Sequence, residues 1–247
     1  MMAVLPPGAS RLLARVQPVA AAPGTLLPVG VEVWHLDLNA CADLQSEARD
    51  LLDDADRRAA DRFTRPASRI RQQLTHAALR CLLARHLGTQ PGLLRFQVGP
   101  HGKPELDPKR DLRFSLSHSG TDALFALAWG REVGVDLERI RPRRSLEQLA
   151  MTCFSPVELA AWLAVPAADR LRGFYRFWAC KEALIKAWAL GLAAGLQRFD
   201  VALAPQTAPQ LARADVPAAP PGDWVLRELQ GPAGYAAALA VQQLGSP

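Results

Sequence analysis

The chain has 247 residues, of which 49% are hydrophobic and 21% charged. That length allows one large domain or two small ones with a real core, and the balance excludes a disordered or fibrous protein. The net charge of +5 suits a polyanionic partner (nucleic acid, a phosphorylated cofactor or an acidic protein) without choosing among them.

No run of about 18 apolar residues is present, so no membrane-spanning helix is expected. The N-terminus lacks the charged-then-apolar order of a signal peptide. Cys41, Cys81, Cys153 and Cys180 form no CxxC pair and no zinc spacing with His. They are expected as reduced thiols of a cytoplasmic protein. Of 29 Lys plus Arg, the lysines are Lys103, Lys109, Lys181 and Lys186. Three of these fall in the motifs below, and a compact ammonium is not equivalent to a guanidinium at a site.

In chain order, residues 1–29 are rich in Ala, Pro and Gly and read as a flexible leader. Val31 to Leu38 alternates apolar and polar residues, as a strand does. Short surface helices are expected between Asp43 and Arg62. A long helix follows from Ser68 to His86, with Ile70, Leu74, Ala77, Ala78, Cys81 and Leu82 at helical spacing. Ser68 is its expected cap, and Leu87-Gly88 ends it. Short segments come next: Leu93 to Val98, a turn at His101-Gly102-Lys103-Pro104, Leu112 to Leu116, Ala123 to Trp129 and Val133 to Ile140. Helices are expected over Ser145 to Met151, Pro156 to Val165 and Arg170 to Trp188. Pro205 to Pro221 reads as a surface loop, and strands close the chain over Trp224 to Leu229 and Tyr235 to Val241. Both halves thus offer a long helix beside a meander of strands, an α+β arrangement. The boundaries are 30–130 for the first half and 131–247 for the second.

Three segments carry chemistry. In Val133-Gly134-Val135-Asp136-Leu137-Glu138, Asp136 and Glu138 share one strand face. They stand about 7 Å apart, a reach that a hard cation bridges. Gly134 leaves space there for a ligand; the plain alternative is an amphipathic strand with solvated acids. In Trp178 to Lys186, Glu182 lies in a row with Trp178, Ile185 and Ala189, one turn before Lys186. A surface Glu–Lys pair is one reading, but a charge among large apolar groups is costly unless paired or bound to metal. In Phe114-Ser115-Leu116-Ser117-His118-Ser119-Gly120, a strand ends in a hydroxyl-rich turn that can aim N–H and O–H groups at phosphate. Arg57, Arg58, Arg62, Arg65, Arg69 and Arg71 form a basic run. Phe63 alone is interleaved there, which speaks against nucleic-acid binding.

From Arg57 to Leu192 the segments RIRQQL, HGKPEL, FSLSHSG, GVDLE, FSPVE and FWACKEALIKAWALGL together resemble the 4′-phosphopantetheinyl transferases of the surfactin (Sfp) type, in the WxxKEA subgroup. The resemblance implies two α+β halves related by pseudo-twofold symmetry, with coenzyme A in the cleft between them. It implies Mg²⁺-dependent transfer of the phosphopantetheine arm to a serine of an apo acyl or peptidyl carrier protein, with adenosine 3′,5′-bisphosphate released. Asp136, Glu138 and Glu182 would hold Mg²⁺, and Glu182 or Glu138 would take the serine proton. Lys186 would neutralise charge on the phosphate. Lys103, Ser117 and His118 would contact coenzyme A phosphates, with Arg71 and Arg58 in the nucleotide patch. Ala189 stands where the family usually has Gly. A monomer is expected, because one chain forms the cleft. Two other classes stay open: a non-catalytic coenzyme A- or nucleotide-binding protein on the same scaffold, and a basic nucleic-acid binder.

Overall fold

The computed structural model describes residues 4–99, 101–191, 195–204, 207–216 and 220–243. Leu192 and parts of the 205–221 stretch lie outside the described residues. In the first half, α1 (Pro7–Leu13), β1 (Gln17–Pro18) and β2 (Val31–Asp37) precede two short helices, α2 (Gln45–Asp50) and α3 (Asp54–Asp61). The long helix α4 (Pro66–Leu87) leads to a hairpin of β3 (Arg95–Val98) and β4 (Pro104–Asp107), then to β5 (Leu112–Ser119) and β6 (Asp122–Trp129). The second half runs β7 (Val133–Arg139), α5 (Leu146–Cys153), α6 (Pro156–Leu163) and the long α7 (Arg170–Trp188). It closes with β8 (Phe199–Ala202), β9 (Gln210–Ala214), β10 (Trp224–Glu228) and β11 (Tyr235–Gln242). The mixture is α+β, and each half lays one long helix over an antiparallel sheet.

The first sheet has the order β1-β2-β6-β5 and the second β10-β11-β7. One face of the first sheet packs Phe114, Phe125 and Leu127 against Leu74, Ala78 and Leu82 of α4. The outer face of the second packs Ala236, Ala238 and Ala240 against Ala179, Ala183 and Leu184 of α7. Between the two sheets lies a third core, with Leu124 and Ala126 on one side and Val135, Leu137 and Leu239 on the other. Alternation of period two explains how β6 and β11 serve two cores at once.

Several expectations are corrected. The first 29 residues are not a loose leader where they are described. Ala9, Leu12 and Val16 follow helical spacing into the first core, with Pro7 at the start of α1. Ala22 N–H then donates to the Glu228 carbonyl, which ties this segment to the second half. Helix α4 begins at Pro66 rather than at Ser68, because proline's fixed φ suits the first helical position. Part of the expected 205–221 loop is strand β9, since Leu211 turns into the same core as Val201. Ser117 and Ser119 stand within β5 rather than in a turn. The strand runs on to Ser119, which pairs with Asp122 across Gly120 at φ +60°. All four cysteines are free and buried. Among the described residues, no helix is long and apolar enough to cross a membrane.

Candidate active site

β7 pairs with β11 along one edge, Asp136 opposite Ala238. Its apolar residues Val133, Val135 and Leu137 enter the central core, so Gly134, Asp136 and Glu138 face the other way, toward α7. A Cβ added at Gly134 would overlap the Ala183 carbonyl oxygen and the Ala187 amide. The space at Gly134 is therefore taken by the α7 backbone, not left for a ligand. That close approach carries Glu182 and Lys186, one helical turn apart, over the acids of β7.

Lys186 Nζ donates to Asp136 Oδ1 at 2.7 Å and to the Val135 carbonyl at 3.3 Å. Ser117 Oγ donates to the same Asp136 oxygen at 2.9 Å. Glu138 accepts from Trp178 Nε1 at 3.1 Å and from Ser119 Oγ at 3.2 Å. Asp136 Oδ2 and Glu182 Oε1 are buried and have no hydrogen-bond partner. Burial pushes the Glu182 carboxyl up to about 7, the Asp136 charge adds to the shift, Lys186 opposes it and Glu138 adds again. Glu138 is also raised, by burial first and then by Asp136. Carboxylates crowded in this way hold a proton near neutrality or accept a cation in its place. Among the described residues, no group of three or more His, Cys, Asp and Glu side chains stands gathered as a ready metal cage.

Beside these acids opens a cleft of about 520 Å³, lined by His76 of α4, Leu116 of β5, His101 and, from α7, Glu182, Ile185 and Lys186. His118, at the exposed end of β5, has its ring held below the usual histidine value. Partial burial is the larger cause, followed by the charges of Lys186, His76 and Arg71. Of these four side chains, His76 and Lys186 line the cleft, and the Arg71 charge reaches the His118 ring. Half-buried Arg71 makes no side-chain hydrogen bond among the described residues.

Not every residue singled out in the sequence joins this group. Lys103 lines the cleft, but its Nζ donates to Glu132 Oε2 at 3.0 Å, the Val133 carbonyl at 3.1 Å and the Ala187 carbonyl at 3.4 Å. Its three N–H groups are thus taken, and it works as a strut between the β3–β4 turn, the start of β7 and the last turn of α7. The Ser117 hydroxyl proton points to Asp136. Arg58 is exposed on α3 and does not line the cleft.

The family model described as the 4′-phosphopantetheinyl transferase superfamily matches residues 132–240, the stretch that carries β7 and α7. The chain is 36% identical over 225 residues to the 4′-phosphopantetheinyl transferase HetI of Nostoc sp. strain PCC 7120, covering 90% of this chain and 91% of that relative. The chain belongs to the 4′-phosphopantetheinyl transferase family. Within the family it is also similar to the 4′-phosphopantetheinyl transferase Sfp of Bacillus subtilis strain 168, at 31% identity over 58% of this chain and 62% of that one. A solved holo-[acyl-carrier-protein] synthase of Thermotoga maritima aligns at 21% identity with a TM-score of 0.36, over 45% of this chain and 62% of that one.

Three features of this family member escaped the sequence reading. His76 faces the cleft while its Nδ1 lies 2.8 Å from Asp56 Oδ1. Its Nε2 also lies 2.8 Å from Gln72 Nε2, and its signal was weak, a His one turn from Gln72 and Arg80 on the polar side of a long helix. The first lysine of the KEALIK segment, Lys181, is fully buried and donates to both Glu158 oxygens at 2.7 Å and to the Phe199 carbonyl at 2.7 Å. Glu158 also accepts from the Ser155 and Val201 amides, so Lys181 fastens α7 to α6 and β8 instead of serving the cleft. The third is the run of alternate serines on β5, which meets β7 side chain by side chain. Strict alternation from Leu112 to Ser119 was its signal.

Proposed function

We propose that this transferase moves the 4′-phosphopantetheine arm of coenzyme A to a serine hydroxyl of an apo acyl or peptidyl carrier protein, in a Mg²⁺-dependent reaction. The serine oxygen forms a bond to the phosphorus that bears the pantetheine arm. The bond from that phosphorus to the bridging pyrophosphate oxygen breaks, and adenosine 3′,5′-bisphosphate leaves. The observation that carries the reading is a pair of carboxylate oxygens without partners, Oε1 of Glu182 at the cleft and Oδ2 of buried Asp136, whose other oxygen accepts from Lys186.

These residues fit a hard cation, which prefers carboxylate oxygens. Asp136, Glu138 and Glu182 would hold it, and bound magnesium supplies charge neutralisation at the pyrophosphate. Glu182 is the stronger candidate for the base. Its carboxylate lines the cleft, where it can reach a hydroxyl proton. Both Glu138 oxygens already accept hydrogen bonds, whereas Glu182 Oε1 is free of them. Lys186 meets the charge that grows on the leaving phosphate, the positional and electrostatic work that dominates phosphoryl transfer. Arg71 and His118 would receive the remaining phosphates.

The same reading makes residues 30–130 and 131–247 the two halves that close on the substrate. It places the protein in the Sfp-type WxxKEA subgroup as a cytoplasmic monomer, with a net charge of +5 that steers an acidic carrier. The test is incubation with coenzyme A and several apo carriers, with Mg²⁺ or with a chelator, read by intact mass. A carrier mass increased by one phosphopantetheine only when Mg²⁺ is present supports the reading. No gain on any carrier, or an equal gain under chelation, contradicts it.

A further inference from the structure

β5 and β7 run side by side in the same direction, yet they belong to separate sheets. What joins them is a row of side chains. Arg113 Nε donates to Glu132 Oε1 at 2.9 Å. Ser115 Oγ accepts from the Val135 amide at 3.1 Å. Ser117 Oγ donates to Asp136 Oδ1 at 2.9 Å. Ser119 Oγ accepts from the Arg139 amide at 3.1 Å and donates to Glu138 Oε2 at 3.2 Å. The odd-numbered face of β5 thus replaces a backbone ladder with hydroxyls, and two of its three serines end on carboxylates of the active site.

The chemistry of these contacts differs along the row. A serine hydroxyl has one proton to give. Ser115 meets β7 only at a backbone amide. Ser117 gives its proton to one Asp136 oxygen, which leaves Oδ2 as the oxygen without a partner. Ser119 grips the Arg139 amide and the neighbouring Glu138 carboxylate at once, and so fixes that side chain relative to its own strand.

We infer that Ser117 and Ser119 are positioning residues: from the first half of the chain they hold Asp136 and Glu138 of the second half in the orientation that receives a divalent cation. This rests on the magnesium reading above. Partners that orient metal ligands are typically worth about ten- to a hundredfold in metal affinity.

The test is titration of full-length protein with Mn²⁺, followed by the paramagnetic resonance signal of the free ion, with coenzyme A present and carrier absent so that nothing turns over. Ser119→Ala and Ser117→Ala are expected to weaken binding by about tenfold, and Ser119→Thr, which keeps the hydroxyl, to restore it. Ser115→Ala loses a seam hydrogen bond but no carboxylate contact. It is expected to lower the melting temperature as Ser119→Ala does while binding Mn²⁺ as the wild type does. Equal affinity in all variants overturns the inference, and so does a loss in Ser115→Ala as large as in Ser119→Ala, which would make the row plain scaffolding. If the wild type binds no Mn²⁺, the magnesium reading falls and this inference with it; wild-type binding with no serine effect removes the inference alone.

Discussion

Lys186 Nζ lies 2.7 Å from Asp136 Oδ1, while the second oxygen of that same carboxylate, Oδ2, is buried without a partner. One carboxylate therefore balances a fixed ammonium and presents a free oxygen at once. Asp136→Ala removes both functions. The expected outcome is a loss of at least about a hundredfold in transfer rate and a shift of the Mg²⁺ dependence to higher concentration. Initial rates over a Mg²⁺ series measure both, and an unchanged Mg²⁺ profile would count against the site.

Glu182 sets a pH dependence of stability. Its carboxyl rises from an ordinary 4.5 to about 7 in the fold, through burial and the nearby Asp136 charge. Between those two values the native state binds the extra proton. The stabilisation is complete below about pH 4.5 and is lost as the pH rises through about 7. Melting temperatures of metal-free protein should fall across that window, and Glu182→Gln should flatten the fall. Added Mg²⁺ should restore stability on the alkaline side, where the carboxylate is charged. A wild-type profile identical to that of Glu182→Gln would refute the shift.

Among the described residues, Ala189 is the one non-glycine residue with positive φ, at 54°. It follows α7 in the left-handed conformation where a side chain is strained. Ala189→Gly should stabilise the protein by about 1 kcal/mol, seen as a higher denaturation midpoint with an unchanged denaturant slope. A lower midpoint would show that the methyl, which lines the cleft, contributes more by packing than it costs in backbone strain.

The two lysines of KEALIK should part company. Lys181→Met leaves Glu158 charged and buried, and breaking such a pair costs about 3–5 kcal/mol. Lys186→Met, at the half-exposed end of the site, should cost transfer activity far more than stability. Chemical denaturation and the transfer assay run on both variants separate the roles. A stable Lys181→Met, or an active Lys186→Met, would reverse them.

The acids were legible because strand alternation puts Asp136 and Glu138 on one face, and helical spacing sets Lys186 one turn past Glu182. Local periodicity fixes such relationships before any tertiary contact forms. What periodicity does not carry is the partner across the chain. Lys103 reads as a free cation in a turn, and nothing near it in sequence announces Glu132 or the Ala187 carbonyl. Gly134 reads as room for a ligand, because the approach of α7 is decided 50 residues later. Lys181 and Glu182 are neighbours in sequence, yet they serve a buried strut and an open cleft, since adjacent helical positions point about 100° apart. The first helix was hidden by composition, with Ala and Pro masking the spacing of Ala9, Leu12 and Val16.

The most direct measurement is the single-turnover rate of carrier modification by Glu182→Gln beside that of the wild type, read by intact mass at saturating coenzyme A and Mg²⁺, with both proteins shown to be folded by their melting curves. The account predicts that the folded variant leaves the carrier at its apo mass while the wild type converts it. Conversion by Glu182→Gln at the wild-type rate would contradict it.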